Sequence, residues 1–153
     1  MNAERDDAGA GNQNEQTIRL GEGDDSVTVD ASGGGHDTFR FTVDGSNIGS
    51  NDISNFDSAE RDDGGFGNVD DVLEFGQISG TPSNFSSISG TDNGDTGTIT
   101  DGNGNEVLQL ELVNGGDDTL IEAGDDASFN GSVTLVGVGD LGNIDGDNFD
   151  FTG

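Results

Sequence analysis

The sequence predicts an all-β fold with almost no helix, and three observations support this. Short runs in which apolar and polar residues alternate recur along the chain, as half-buried strands require. Turns rich in Gly and Asp separate these runs, and glycine allows the positive φ that tight turns use. The chain contains 28 Gly, each costing about 1 kcal/mol in a helix interior, and no stretch keeps a helical period between capping residues.

The predicted elements run from residue 17 to the end of the chain. The alternating runs of the first half are Thr17–Leu20, Ser26–Val29 and Thr38–Val43, followed by the segments Asn51–Asp57 and Asp70–Phe75. The second half predicts a meander of the runs Thr98–Thr100, Val107–Leu112, Thr119–Ile121 and Ser132–Val136, with a hairpin signal at Asp101–Gly104. Two polar stretches, Ser58–Asn68 and Gly80–Gly97, are predicted loops. We therefore expect an N-terminal arm over residues 1–16 and one β domain over residues 17–153.

The charge balance restricts the partners of this protein. The chain has 32 Asp and Glu against 4 Lys and Arg, which gives a formal net charge of -28. Such a surface repels nucleic acids and anionic membranes and attracts cations, and no apolar run approaches the length needed to cross a membrane. Hydrophobic residues make up only 28% of the chain, so we expect folding to be coupled to the binding of divalent cations. Halophilic acidity without specific sites is an alternative explanation of the same composition.

Two Gly/Asp turns match a known calcium-binding pattern. The nonapeptide G-G-x-G-x-D-x-U-x, in which U is a large apolar residue, forms a parallel β-roll that binds calcium. Gly21–Thr28 fits it with Leu20 in place of the first Gly, Ser32–Arg40 fits it with Ser in that place, and Gly116–Leu120 is a partial third copy. The pattern predicts a short parallel β-roll that leads into a sandwich or meander.

The turns offer the oxygen ligands that calcium prefers. Calcium takes six to eight oxygens, so carbonyls and one carboxylate from a single turn must be completed by a second, stacked turn. Asp25 and Asp37 are not one nonapeptide apart, so we expect irregular stacking and only a few ions. The candidate ligands in these turns are Gly21, Gly23, Asp25, Gly33, Gly35 and Asp37.

Three further segments follow one another in a fixed order, Gly33–Phe41, Asn51–Asp57 and Asp70–Phe75. Together they resemble the end of the β-roll in RTX proteins, the family that includes the serralysin-type proteases and other type I-secreted bacterial proteins, with its GGxGxDTFxF turn, D-x-I-x-D-F segment and following strand. The resemblance implies that Asp52 helps to close the last calcium site. Asn55 stands where the family has a second Asp, and Asp57 lies just beyond it as a substitute. Asp71, in the third segment, completes the candidate ligands.

The end of the chain also resembles this family. Gly131–Val138 is similar to the T-L-x-G-V strand near the terminus of RTX proteins, and Asp147–Phe151 is similar to their D-D-F-x-F tail. The resemblance implies an uncleaved C-terminal signal that the type I secretion machinery reads. Met1–Gln16 has no apolar segment typical of a cleavable signal peptide. We therefore expect a secreted protein that is extracellular or bound to the cell surface.

No motif in the sequence predicts catalysis. The chain has no H-E-x-x-H and no G-x-S-x-G, its one His is His36 within a glycine turn, and it has no Cys. Our first hypothesis is a non-enzymatic, calcium-binding structural or surface protein that pairs with copies of itself through strand edges. The alternatives are a C-terminal secretion and folding module of a larger enzyme and a calcium-dependent adhesion or carbohydrate-binding domain.

Overall fold

A computed structural model describes residues 16–29, 36–41, 47–58, 71–76, 78, 90–127, 129–144 and 146–152. Within these ranges the chain forms ten strands and two single-turn 3-10 helices, so the all-β prediction is confirmed. The strands are β1 Gln16–Leu20, β2 Ser26–Thr28, β3 Asp37–Phe41, β4 Asn47–Ser54, β5 Val72–Phe75, β6 Thr96–Thr100, β7 Glu106–Val113, β8 Asp118–Ala123, β9 Asn130–Val136 and β10 Phe149–Phe151. The 3-10 turns are Leu141–Asn143 and Gly146–Asn148. The described residues contain no helix that is long and apolar enough to cross a membrane.

The strands form two sheets, and the chain alternates between them as a β-roll does. The first sheet has the order β1-β3-β5-β10, and all its neighbouring strands are parallel. The second sheet has the order β2-β4-β9-β8-β7-β6, in which β2, β4 and β9 are parallel. Each pass through one strand of each sheet makes one rung of the roll, so the predicted parallel roll is present in its first rungs.

An antiparallel meander extends the second sheet. Strands β6, β7 and β8 pair in sequence order, and β8 then pairs with β9. The meander is therefore inserted between β5, which ends in the first sheet, and β9, which resumes the roll in the second. Its β6–β7 connection is the hairpin that the Asp101–Gly104 signal predicts.

The apolar core lies between the two sheets because side chains alternate along each strand. In β3, Phe39 and Phe41 are fully buried while Thr38 and Arg40 face outward and are half-buried. Parallel pairing places Phe41 of β3 beside Phe75 of β5, and the centres of their rings lie 4.9 Å apart. Ile53 of β4 and Leu135 of β9, both fully buried, belong to the same cluster. Two sheets that share one core explain how so few hydrophobic residues can fill it.

The element boundaries differ from the predicted ones by a few residues. Gln16 belongs to β1 rather than to the arm, and residues 1–15 lie outside the described ranges. Strand β4 begins at Asn47 and ends at Ser54, several residues earlier than the predicted segment. Thr96 and Gly97 belong to β6 although the predicted loop contained them, because pairing with β7 outweighs their loop-like composition.

Candidate functional site

The described residues of the two predicted calcium turns lie at opposite edges of the roll. Gly21–Asp25 connects β1 of the first sheet to β2 of the second, whereas Asp37 begins β3 where the chain has returned to the first sheet. Gly33 and Gly35 lie outside the described residues. Asp25 and Asp37 therefore do not share a site, and Gly21–Asp25 stacks instead on β4, one rung further along.

Three glycines of successive rungs, Gly23, Gly49 and Gly131, lie one above the other and form what we call the glycine column. All three have positive φ, of 119°, 76° and 116° respectively. A Cβ atom on Gly49 would lie 2.0 Å from the carbonyl oxygen of Gly23, and one on Gly131 would lie 2.4 Å from that of Gly49. No other residue fits at Gly49 or Gly131 without moving the backbone of the rung before it.

Polar contacts join the first turn to the next rung beside the glycine column. The amide of Ser50 donates to Asp24 Oδ1 at 3.0 Å, and the amide of Asp25 donates to Asn51 Oδ1 at 3.3 Å. Asn51 is almost fully buried, and its Nδ2 donates to the carbonyl of Ile48 at 2.8 Å. This edge is therefore rich in oxygen atoms held at fixed positions by backbone contacts between rungs.

The remaining candidate ligands of this part of the chain have different surroundings. Gly21 is exposed, and the carbonyl oxygen of Asp25 accepts the amide of Asp52 at 2.9 Å. Asp52 itself is exposed, because it alternates along β4 with the buried residues Asn51 and Ile53. Its side chain therefore lies on the outer face of the second sheet.

At the opposite edge, three of the predicted ligands come together. We call Asp37, Asp57 and Asp71 the aspartate cluster. Asp37 is the first residue of β3, Asp57 follows β4 and Asp71 precedes β5. The Oδ1 of Asp71 accepts the amide of Asp37 at 2.9 Å, and its Oδ2 accepts the amide of Asp57 at 2.9 Å. The amide of Asp71 in turn donates to the carbonyl of Asp57 at 2.9 Å. Asp71 thus joins the residue that follows the end of β4 to the start of β3.

A hydrogen bond of the same kind joins the aspartate cluster to β1, at the start of the roll. Asp37 Oδ1 accepts the amide of Gln16 at 3.2 Å, and the side-chain amide of Asn148 donates to the carbonyl of Asp71 at 3.1 Å. A carboxylate at the start of one strand therefore receives the amide at the start of the preceding parallel strand. This repeated contact depends on the parallel register of the first sheet.

Burial raises the pKa of Asp71 from 3.8 to about 7. The side chain is only 2% exposed, and loss of water disfavours its charged form. The two backbone amides lower the pKa, while the charges of Asp37 and Asp57 raise it further. A cation beside the cluster would oppose this change, since it favours the ionised carboxylate.

The donor chemistry of both edges fits a hard cation. Carboxylate and carbonyl oxygens are the ligands of calcium, whereas a zinc site usually draws on Cys or His. The chain has no Cys, and His36 is its one His. Among the described residues, no group of three or more His, Cys, Asp or Glu side chains is arranged to hold a metal ion. Backbone carbonyls would therefore have to supply part of any calcium site in these ranges.

A carboxylate that the sequence analysis treated only as part of a turn closes the β6–β7 hairpin. Asp101 Oδ1 accepts the backbone amides of Asn103 at 2.8 Å and Asn105 at 2.9 Å, and its Oδ2 accepts the side-chain amide of Asn105 at 2.8 Å. The backbone bond from Asn105 is the main reason that the pKa of Asp101 falls to about 2. The D-x-N-x-N spacing is the signal that could have identified this role.

Comparisons with known proteins complete the description of the site. The chain was compared with protein-family models, with curated proteins and with solved structures. None of the three comparisons found a match. The likeness to RTX proteins therefore rests on the sequence segments quoted above.

Proposed function

We propose that this protein is a non-enzymatic, calcium-binding structural protein that acts outside the cell or at its surface. Calcium would complete the folding of the β-roll, and copies would associate through strand edges. The observation that carries the proposal is that oxygen-rich segments of neighbouring rungs contact one another, at the glycine column on one edge and at the aspartate cluster on the other. Calcium sites of the β-roll type need two stacked turns of this composition.

The charge of the chain supports a role for cations in folding. Folding brings 32 acidic residues of a 153-residue chain close together against 4 basic ones, and the resulting repulsion opposes the compact state. Burial raises the pKa of Asp71 to about 7, so ionising this carboxylate in the folded chain also costs free energy. Bound calcium would reduce the repulsion among the acidic residues and the cost of burying ionised Asp71. Part of its binding free energy would therefore stabilise the folded chain.

An extracellular location follows from the affinity expected of such sites. Extracellular calcium modules typically bind with dissociation constants of about 10⁻⁴ to 10⁻³ M, and calcium reaches such concentrations outside the cell but not in the cytosol. The chain would then be exported unfolded and fold afterwards. The segment Asp147–Phe151, which resembles a type I secretion tail, contains strand β10 and would pair with β5 only after export.

Strand edges offer the route to self-association. In the described ranges, β1 and β10 are the outer strands of the first sheet, and β2 and β6 are those of the second. Outer strands have backbone groups that a strand from another copy can pair with. Calcium would also reduce the repulsion between two copies of such high negative charge.

A calcium titration of the metal-free chain tests the proposal. We expect circular dichroism to show β structure forming at about 10⁻⁴ to 10⁻³ M calcium, with light scattering rising afterwards. Sodium chloride at matched ionic strength should not restore the fold, and magnesium should act more weakly because it prefers smaller, octahedral sites. A spectrum in EDTA identical to that in calcium would contradict the calcium part, and a calcium-independent monomer would contradict the association part.

Two variants that each remove one charge test which part of the chain calcium acts on during folding. Asp57→Asn removes a charge from the aspartate cluster and should raise the calcium concentration at the folding midpoint several-fold. Asp125→Asn, which removes the same charge from an exposed turn between β8 and β9, is the matched control. Equal shifts in both variants would mean that calcium acts through general charge screening.

A further inference from the structure

A cleft of about 480 Å³ lies on the outer face of the first sheet, away from the core and from the glycine column. Outward-facing Thr38 and Val72 of neighbouring strands contribute to its lining, and Arg40 and Glu74 lie beside them. His36 and Asp150 also line it. Its volume is within the range of about 300–1,000 Å³ that is typical of small-molecule sites.

One row of side chains across this face has a pronounced charge order. The parallel register places Arg19, Arg40, Glu74 and Asp150 side by side on four successive strands. Two of the four basic residues of the chain are therefore neighbours at one end, and two acidic residues are neighbours at the other. Like charges directly opposite one another on adjacent strands are destabilising, so each end of the row would gain from a group of opposite charge.

The middle of the row is already neutralised. Arg40 Nη2 lies 2.6 Å from Glu74 Oε2, and the hydroxyl of Thr152 donates to Glu74 Oε1 at 3.1 Å. Glu74 is only 5% exposed although it faces outward. The charges left at the two ends are those of Arg19 and Asp150, both exposed.

Arg40 has hydrogen-bonding capacity beyond its bond to Glu74. Its Nε is buried and, in the described part of the chain, has no hydrogen-bond partner. About a third of the side chain remains exposed. A buried donor without an acceptor costs free energy, and a carboxylate is the acceptor that a guanidinium binds best. A small turn of the side chain toward the cleft would let Nε and a terminal nitrogen bind one carboxylate together.

We propose that this cleft binds a small zwitterion, with its carboxylate toward Arg40 and its cationic nitrogen toward Asp150, two charged residues that line the cleft. A simple anion would be repelled by the net charge of the chain, and a simple cation would gain nothing from the arginine end. A molecule with both charges, such as an α-amino acid, can direct its carboxylate to Arg40 and its ammonium group to Asp150, on the two sides of Glu74. Its aliphatic part would lie on the Val72 side chain and the Thr38 methyl group. The proposal does not depend on calcium binding.

Calorimetry and saturation-transfer NMR on the full chain in millimolar calcium test this inference. The probes are L-alanine as the zwitterion, propionate and ethylammonium as its two charged halves, and methyl glucoside as a neutral polar compound. We expect L-alanine to bind roughly ten-fold or more tightly than either half, because each end loses one charge-assisted contact. Equal or tighter binding of methyl glucoside, or no binding of L-alanine, would overturn the proposal.

Three variants assign the two ends of the ligand. Arg40→Lys keeps the charge and can still pair with Glu74, but it lacks the planar guanidinium that binds a carboxylate with two parallel hydrogen bonds. Arg40→Lys and Asp150→Asn should each weaken L-alanine binding roughly ten-fold, and the exposed-turn variant Asp125→Asn should leave it unchanged. Circular dichroism checks that each variant is folded. Unchanged affinity in folded Arg40→Lys, or an equal loss in Asp125→Asn, would contradict the assignment.

Discussion

Asp71 in the β-roll and Asp101 in the meander each accept two backbone amides, yet their pKa values move in opposite directions. Burial raises the pKa of Asp71 to about 7, whereas the bonds from Asn105 and Asn103 lower that of Asp101 to about 2. The amides that reach Asp71 come from residues 34 and 14 positions away, and those that reach Asp101 come from residues two and four positions away. Hydrogen bonds favour the charged form at both sites. At Asp71 they are outweighed by burial and by the charges of Asp37 and Asp57, whereas at Asp101 the side-chain amides of Asn105 and Asn103 add to them.

The same contrast separates the two regions as a whole. The meander pairs strands that are neighbours in sequence, and its turns are closed by their own side chains. The roll pairs strands that are far apart, such as β5 and β10, and joins its rungs through contacts at the turns. Forming such distant contacts costs more chain entropy. We therefore expect the roll to be the region whose stability depends on cations and pH, and the meander to depend on them less.

The largest expected effect comes from the contact between rungs at the glycine column. Gly49→Ala places a methyl group against the carbonyl of Gly23, as well as forcing alanine into positive φ. We expect it to lower the free energy of unfolding by about 3–5 kcal/mol, since strain and overpacking add. Urea unfolding in saturating calcium measures this loss.

Gly104→Ala is the matched control in the meander. Gly104 also has positive φ, at 88°, but no atom lies within 4 Å of the Cβ it would gain. Its cost should be that of the backbone conformation alone, about 1–2 kcal/mol. The difference between the two variants isolates the stacking of rungs. Equal losses would mean that the glycine column contributes nothing beyond its backbone conformation.

The next effect concerns pH in the absence of calcium. The pKa of Asp71 is higher in the folded chain than its ordinary value of 3.8, so the folded state binds the proton more tightly than the unfolded state does. This contribution to stability is therefore fully present below pH 4 and is lost as the pH rises to about 7, by up to about 4 kcal/mol. Circular dichroism in EDTA measures it, since the metal-free chain should regain β structure as the pH falls from 7 to 4.

Asp71→Asn separates this effect from the repulsion among the other acids. The variant has no carboxylate to ionise, so its stability relative to the wild-type chain should improve steadily between pH 4 and pH 7. At low pH it should be the less stable of the two, because the Asn Nδ2 cannot accept the backbone amide that Asp71 Oδ2 accepts. Parallel pH curves for the two proteins would show that Asp71 does not titrate in this range.

The sequence predicted the strands of both regions well, because alternation and turn residues are local signals. Thr17–Leu20, Val107–Leu112 and Ser132–Val136 all lie within strands of the structure. The hairpin at Asp101–Gly104 is confirmed as well. These elements depend on side chains that repeat every second residue and on turns that close within five residues.

What the sequence could not supply was the pairing of turns that lie far apart. Gly49 and Gly131 carry no local signal for the glycine column, since only the register of β4 with β9 brings them together. The turn pattern brought out Asp37, and the segments that resemble RTX proteins brought out Asp57 and Asp71, but neither showed that Asp71 receives the amides of the other two. The sequence did not predict the row of four charged residues on the first sheet either, because these residues become neighbours only through the parallel register of the strands.

The smallest effect is expected at Asp101, and it should have the opposite pH dependence to that of Asp71. The pKa of Asp101 is lower in the folded chain than its ordinary value, so its contribution is present above pH 4 and is lost as the pH falls through about 2. In Asp101→Asn the remaining Oδ1 can still accept both backbone amides, since Asn103 and Asn105 both donate to that atom. Only the side-chain amide contacts to Oδ2 are lost.

Acid unfolding followed by circular dichroism tests this expectation for Asp101→Asn, with Asp125→Asn as the control. The Asp101 variant should be slightly less stable than the wild-type chain at neutral pH, and the difference should shrink as the pH falls through about 2 and the carboxylate takes up a proton. A deficit that persists unchanged at pH 2 would mean that the carboxylate acts through its shape rather than its charge. In that case the hairpin, like the roll at Gly49, would be limited by packing, and the electrostatic contrast between the two regions would rest on Asp71 alone.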